Sequence, residues 1–168
     1  MAFGLQRAPR VNTSMNRLVI TPRHLQTIGR HAAMTYPKEC CGVLIGHYGA
    51  GTTIVERVLS VGNERQDSRD RYLIHPETVL AAHKQARALG FEVVGYYHSH
   101  PDHPAVPGEL DRENAWPEVS YVIVAVQGGR VTEARSWRLS AGRERFEEET
   151  IEQGAGLAVP FGVHKEAS

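Results

Sequence analysis

An apolar and aromatic run at residues 93–97 leads directly into His98, Ser99 and His100. A continuous apolar run that is followed by proline is typical of a buried strand that ends in a turn. Because residues two apart on a strand point to the same face, both imidazoles should leave one side of the sheet together. Asp111, eleven residues after His100, can supply a third ligand, and a water molecule can supply the fourth. Three protein ligands with one open position are the arrangement of a catalytic zinc site, so the pattern predicts such a site here.

The rest of the chain alternates between strand-like and helix-like patterns. Thr21 followed by Pro22 is typical of a helix start, and Gly128 followed by Gly129 predicts a hairpin turn. Helices are predicted at residues 22–36, 76–89 and 108–116, strands at 41–45, 52–61, 72–74, 91–97, 120–127 and 131–139, and a surface loop at 62–70. Strands interleaved with helices predict a mixed α/β domain.

Composition limits the partners and the organisation of the chain. Its 168 residues fit one domain, and 19 basic residues balance 19 acidic ones, so we expect no nucleic-acid partner. No apolar run approaches the roughly 20 residues of a membrane span, so we expect no membrane segment. Cys40 and Cys41 are adjacent and cannot form an ordinary disulfide with each other, which favours a reducing, cytoplasmic location. We expect residues 1–16 to form a disordered leader and residues 141–168 a poorly defined C-terminal extension with no assigned element.

One interpretation of the histidine segment is a different kind of metal site. His98 to His103 match the H-x-H-x-D-H signature of hydrolases with the metallo-β-lactamase fold. That family needs further histidines well downstream to complete two metal sites, whereas His164 is the only histidine after His103. The chain is also short for that fold, which disfavours this interpretation. We therefore expect Asp102 and His103 to lie in a solvated loop.

The spacing around the two histidines resembles that of the JAMM, or MPN-plus, metalloprotease family. The family pattern is a glutamate on an early element, then H-[ST]-H, seven residues, a serine, two residues and an aspartate. Here the segment from His98 to His100 is followed by residues 101–107, Gly108 and, two residues later, Asp111. Glu39 precedes residues 41–46, which resemble the family's early strand. The resemblance extends from about residue 18 to residue 139, and residues 116–126 are similar to bacterial stand-alone members.

This resemblance implies a fold and a substrate class. Residues 17–140 would form a single MPN/JAMM-like, cytidine-deaminase-like catalytic domain with a mixed sheet flanked by helices. The bacterial members are similar to enzymes that act on ubiquitin-like sulfur-carrier proteins with Gly-Gly ends. The chain would therefore be a zinc-dependent peptidase or isopeptidase that hydrolyses the amide after the C-terminal Gly-Gly of a ubiquitin-like or sulfur-carrier protein adduct.

The resemblance also implies a role for each matching residue. His98, His100 and Asp111 would bind one Zn²⁺ ion per chain. Glu39, which by composition alone is only a loop acid, would hold and deprotonate the metal-activated water as general base. Ser99 is expected to point to the face opposite the histidines and to support the site without binding metal.

Gly108 departs from the family pattern, because it stands where the family has serine. The serine hydroxyl is expected to help hold the oxyanion of the tetrahedral intermediate, and losing one such donor costs about 10²–10³ in rate. A backbone N–H, a water molecule or the substrate could replace that donor. The alternative is a catalytically weak or inactive MPN-type module that binds in the same groove without hydrolysis.

Overall fold

Seven strands form a closed sheet in the computed structural model, which describes residues 16–65 and 71–155. The strands are β1 (Arg17–Ile20), β2 (Cys41–Gly49), β3 (Thr52–Val61), β4 (Glu92–Pro101), β5 (Ser120–Gln127), β6 (Arg130–Leu139) and β7 (Phe146–Gln153). The helices are α1 (Pro22–Thr35), α2 (Pro76–Ala88) and α3 (Glu109–Asn114). The strand order is β1-β3-β2-β4-β5-β6-β7, and a parallel pair of β1 and β7 completes the barrel. The predicted class, a mixed α/β domain with a sheet flanked by helices, is confirmed.

Some of the predictions fall outside the described residues. These are the leader, of which only residue 16 is described, residues 66–70 of the predicted surface loop, and the end of the chain from residue 156, with His164. The division into residues 1–16, 17–140 and 141–168 therefore stays a prediction. No helix in the described ranges is long and apolar enough to cross a membrane.

The two long helices cover opposite sides of the sheet. Thr21 caps α1 by accepting a hydrogen bond from the backbone N–H of His24 at 3.1 Å, and Ile28 and Ala32 of this helix are fully buried. On the other side, Ala82 and Ala86 of α2 pack against a second apolar cluster. Strands buried on both faces read as continuous apolar runs, which is why β4 and β5 are apolar along most of their length.

The end of β2 differs from the prediction, which placed it at residue 45. The strand continues through Gly46 to Gly49, and its register against β3 shifts between Ile45 and Gly46. A Cβ atom at Gly46 would lie 1.8 Å from the carbonyl oxygen of Ile54. Gly46 therefore permits the close approach of β2 to β3, and β2 does not end there.

The predicted strand at residues 72–74 is wrong. The segment has no regular secondary structure, and its backbone pairs with a loop. Glu64 N–H donates to the Leu73 carbonyl at 2.9 Å, and Leu73 N–H donates to the side chain of Asn63 at 3.0 Å. The apolar residues at 72–74 favour a strand, but a local pattern does not show whether a neighbouring strand is present to pair with it.

Two strands have extents that the sequence did not predict. β4 runs on to Pro101 and includes both histidines, because β5 continues beside it as far as Val126. β7 lies in the part of the chain to which no element was assigned, and its alternation was hidden because Glu149, a charged residue, faces the interior.

Candidate metal centre and active site

Three side chains from two elements converge at the end of β4. His98 and His100 lie two residues apart on β4, and Asp111 lies in the first turn of α3. The two Nε2 atoms are 3.1 Å apart, and Asp111 places Oδ1 3.1 Å from His98 Nε2 and Oδ2 3.6 Å from His100 Nε2. Tetrahedral zinc with bonds of the usual length needs ligand atoms about 3.3 Å apart. Within the described residues these three form the one group that could hold a metal ion.

The hydrogen bonds of the two histidines are compatible with metal binding through Nε2. His100 Nδ1 lies 2.8 Å from the carbonyl oxygen of Pro104, which can only accept, so Nδ1 carries the proton and Nε2 keeps its lone pair. His98 is almost fully buried, and this burial lowers its pKa although its contact with Asp111 opposes the shift. A neutral imidazole is the form that ligates a metal. Its Nδ1 is buried without a hydrogen-bond partner in the described ranges.

Asp111 is held in its ionised form. Burial alone would raise the pKa of its carboxyl, but hydrogen bonds with His100 and His98 outweigh burial and hold that pKa well below its usual range. The backbone N–H of Gly108 adds a hydrogen bond of 2.7 Å to Oδ2. The same carboxylate, with the Pro104 carbonyl, raises the pKa of His100 against the effect of burial. Metal binding must therefore compete with protons at His100.

Glu39 lies between α1 and β2, where it borders the same cavity as Asp111. It is only 6% exposed, and its charge contributes to the raised pKa of His100. Its carbonyl oxygen accepts a hydrogen bond from the Asn63 side chain at 3.0 Å. The structure therefore places Glu39, the predicted base, on the same cavity as the three converging side chains.

Ser99 points away from the two histidines and joins their strand to the Glu39 segment. Its hydroxyl accepts from the backbone N–H of Cys40 at 2.8 Å, and its own N–H donates to the Cys40 carbonyl at 3.1 Å. The side chain is fully buried. These two bonds hold the residue after Glu39 against β4, which is a supporting contact of the kind that the sequence predicts for Ser99.

Gly108 caps α3 without a side chain. Its backbone N–H reaches Asp111, as described above, so the start of the helix and the third ligand are held together. A Cβ atom at this position would find Asp111 Oδ2 at 3.7 Å, an ordinary contact. The structure therefore has room for the serine that the family pattern places here.

A cavity of about 270 Å³ opens beside Glu39 and Asp111. Its walls are mainly apolar and aromatic, and they are formed by residues of α2, β4, β5, the α3 region and the segment before α2: Tyr72, Leu73, Ile74, Val79, Tyr96, Leu110, Trp116 and Tyr121. Trp116 is 67% exposed at this cavity. A cavity of this shape can bind an extended peptide segment next to the metal ligands.

Sequence reasoning missed Tyr72 as a residue of the site. Its ring stacks on the imidazole of His98, with ring centroids 4.5 Å apart and planes 22° from parallel. No local signal indicated it, because residues 72–74 have the composition of a strand and the stacking partner lies on β4.

Asp102 and His103 do not join the metal centre. Asp102 adopts a positive φ of 59° and accepts hydrogen bonds from Gly128 N–H at 3.1 Å and the Tyr36 hydroxyl at 2.9 Å. His103 is exposed. The H-x-H-x-D-H interpretation needs both residues as ligands, and the expected solvated loop is in fact anchored through Asp102.

Cys40 and Cys41 are free thiols buried beside the site. Burial raises the pKa of Cys40 to about 11 and that of Cys41 to about 12. Both thiols therefore stay protonated at neutral pH, and they act as small packing residues.

The family, the relatives and the solved structure that this chain resembles agree with one another. The sequence profile of the prokaryotic homologs of the JAB domain matches residues 21–140. The chain is 38% identical over 107 residues to a protein named desampylase from Haloferax volcanii, an alignment that covers 63% of this chain and 74% of that protein. It is 34% identical over 106 residues to a probable TtuB-protein conjugate cleaving protease from Thermus thermophilus, covering 63% and 68%. The solution structure of a protein from Desulfitobacterium hafniense superposes with a TM-score of 0.73 at 29% identity, covering 84% of this chain and 95% of that one.

Proposed function

Since the chain belongs to the family of prokaryotic homologs of the JAB domain, we propose that it is a zinc-dependent isopeptidase that cleaves conjugates of ubiquitin-like proteins. The observation that carries this proposal is the convergence of His98, His100 and Asp111 beside Glu39. The names of two relatives, a desampylase and a probable TtuB-protein conjugate cleaving protease, support the same activity.

The reaction needs a Lewis acid and a base. His98, His100 and Asp111 would hold one Zn²⁺ ion, and zinc in such a site polarises a carbonyl group and lowers the pKa of a water to about 7. The Glu39 carboxylate takes a proton from the attacking water and passes it to the leaving amine. The carbon–nitrogen bond breaks, and the water oxygen becomes part of the new carboxylate. Ser99 and Asn63 hold the backbone around Glu39 during these steps.

The substrate is a ubiquitin-like or sulfur-carrier protein whose C-terminal Gly-Gly is joined to an amine. Glycine lets a backbone approach the walls of a cleft closely, and the cavity beside Glu39 and Asp111 offers such walls. The free thiols of Cys40 and Cys41 support a reducing, cytoplasmic location. A module that binds without hydrolysis, the alternative raised by Gly108, is less favoured because the metal ligands and the acid are all present.

The test is cleavage of a panel of Gly-Gly-tailed ubiquitin-like conjugates by zinc-loaded protein, with Glu39→Gln beside Glu92→Gln. The variant Glu39→Gln should lose about 10²–10⁴ in kcat, because a general base contributes that much, while its zinc content stays unchanged. Glu92 is exposed at the start of β4, so Glu92→Gln should cleave like the unsubstituted protein. Undiminished cleavage by Glu39→Gln would exclude Glu39 as the base.

A further inference from the structure

Tyr72 lies against the metal centre without being one of its ligands. Its ring stacks on His98 at 4.5 Å, and the residue lines the cavity that Glu39 and Asp111 also border. The stacking fixes the plane of the phenol relative to a ligand that is itself held in β4. The phenol is therefore held between a proposed metal ligand and the cavity in which Glu39 and Asp111 lie.

The hydroxyl of Tyr72 is available to a substrate. In the described part of the chain no hydrogen bond joins it to another residue, and it is not among the fully buried atoms that lack a partner. The hydroxyls of Tyr97 and Tyr121, by contrast, are already engaged, with Ser60 and with the backbone of Trp116. A phenol carries its proton at neutral pH, so this hydroxyl can donate a hydrogen bond.

Asn63 fixes the backbone on both sides of Tyr72. Its amide donates to the Arg71 carbonyl and its oxygen accepts from Leu73 N–H, each at 3.0 Å. The same amide donates to the carbonyl of Glu39, also at 3.0 Å. One side chain therefore holds Tyr72 and the proposed base in a fixed relation, which is the preorganisation that a transition-state contact requires.

Gly108 leaves the site without the hydroxyl that the family pattern supplies there. We infer that the Tyr72 hydroxyl donates a hydrogen bond to the oxyanion of the tetrahedral intermediate, in place of the side chain that Gly108 lacks. The inference rests on the proposed function. When the water oxygen bonds to the carbonyl carbon, the π electron pair moves to the carbonyl oxygen, and the proton of the water goes to Glu39. Tyr72 keeps its own proton and stabilises the negative charge.

The variant Tyr72→Phe tests the hydroxyl alone, because it keeps the ring and its stacking on His98. We expect kcat for a Gly-Gly isopeptide to fall about 10²–10³-fold, the cost of one oxyanion donor, with KM and zinc content unchanged. Tyr48→Phe is the matched control, since Tyr48 is exposed on β2 and does not line this cavity, and it should keep its kcat. A second readout is affinity for a peptide whose scissile amide is replaced by a tetrahedral phosphonamidate. This affinity should fall with kcat in Tyr72→Phe, while binding of the Gly-Gly acid product stays constant.

Gly108→Ser provides the rescue. A Cβ atom fits at this position, so serine should restore most of the kcat that Tyr72→Phe loses. Unchanged kcat and phosphonamidate affinity in Tyr72→Phe would overturn the inference and leave the proposed function intact. Loss of zinc from Tyr72→Phe would also overturn it, by showing a structural role. Absence of cleavage by the unsubstituted protein would overturn the proposed function and this inference with it.

Discussion

At Gly46, β2 passes so close to β3 that no side chain fits between them. The position where a Cβ atom would lie is 1.8 Å from the Ile54 carbonyl oxygen, whereas at Gly49 the nearest atom is 3.6 Å away. Backbone cannot move aside as a flexible side chain can, so a methyl group at position 46 must force the two strands apart. Gly49 lies at the end of the same strand and tolerates the same methyl group in ordinary contact.

We therefore predict that Gly46→Ala lowers the free energy of unfolding by about 1–3 kcal/mol, the usual cost of overpacking. Gly49→Ala should stay within about 1 kcal/mol of the unsubstituted protein. Chemical denaturation of both variants checks this. Equal midpoints for the two would show that β2 and β3 are further apart than the structure has them.

At the same scale, the sequence indicated some site residues directly and others only by resemblance. The alternation of a strand was enough to predict that His98 and His100 share a face and that Ser99 does not. Glu39 has no such periodicity, because a single acid in a loop looks like any other, and only the family pattern indicated it. Tyr72 was missed because its stacking on His98 joins two segments that are distant in sequence.

At the scale of elements, the loop between β4 and α3 connects His98 and His100 to Asp111, the third proposed metal ligand. Trp137 of β6 donates from its indole Nε1 to the carbonyl of Ala105 at 2.9 Å, and Ala105 is fully buried. The carbonyl of the preceding residue, Pro104, fixes the tautomer of His100. The indole therefore helps to hold the loop that orients His100, a proposed metal ligand.

This arrangement predicts that Trp137→Phe weakens zinc binding, because the smaller phenyl ring has no N–H to donate to Ala105. Removing a group that hydrogen-bonds to a metal ligand lowers metal affinity about 10–100-fold. Trp137 contacts the residue next to such a group, so we expect its loss to lower zinc affinity about 10-fold. Competition with a chromogenic chelator measures it. Trp116→Phe, the same change at an exposed tryptophan, should leave the affinity unchanged, and an equal loss in both variants would contradict the account.

Most elements could be predicted from local patterns, and the failures share a physical cause. The start of α1 follows from Thr21 and Pro22, and the β5–β6 hairpin from two glycines with positive φ. The segment at residues 72–74 has the composition of a strand but has a loop as its neighbour, and β7 conceals its inward position behind Glu149. The periodicity of a segment does not identify the strand with which it pairs or the residue that neutralises a buried charge.

At the scale of the whole molecule, closure of the barrel depends on β1 and β7, which lie at opposite ends of the described chain. β1 pairs in parallel with β3 on one side and with β7 on the other. Pairings over such sequence separations leave no local signal, so the closed sheet was not predicted. Between β6 and β7, Arg138 and Glu149 form an ion pair at 3.0 Å, and their side chains are 12% and 1% exposed.

The buried pair is satisfied by further hydrogen bonds, since Ser120 and Ser136 both donate to Glu149. We predict that Glu149→Ala lowers the free energy of unfolding by about 3–5 kcal/mol, because it leaves a buried guanidinium without its counter-charge. Glu148→Ala removes an exposed pair with Arg135 and should cost about 0–1 kcal/mol. Thermal or urea unfolding separates the two, and a small effect of Glu149→Ala would show that β6 and β7 do not bury this ion pair as described.

One metal ion, held by His98, His100 and Asp111, is proposed to make the chain an isopeptidase. The most direct measurement is a titration of metal-free protein with Zn²⁺, followed by the initial rate of cleavage of one ubiquitin-like Gly-Gly isopeptide. The account predicts no cleavage at the start, a linear rise, and a plateau at one zinc ion per chain. Full cleavage by the metal-free protein, or no cleavage at any zinc content, would contradict it.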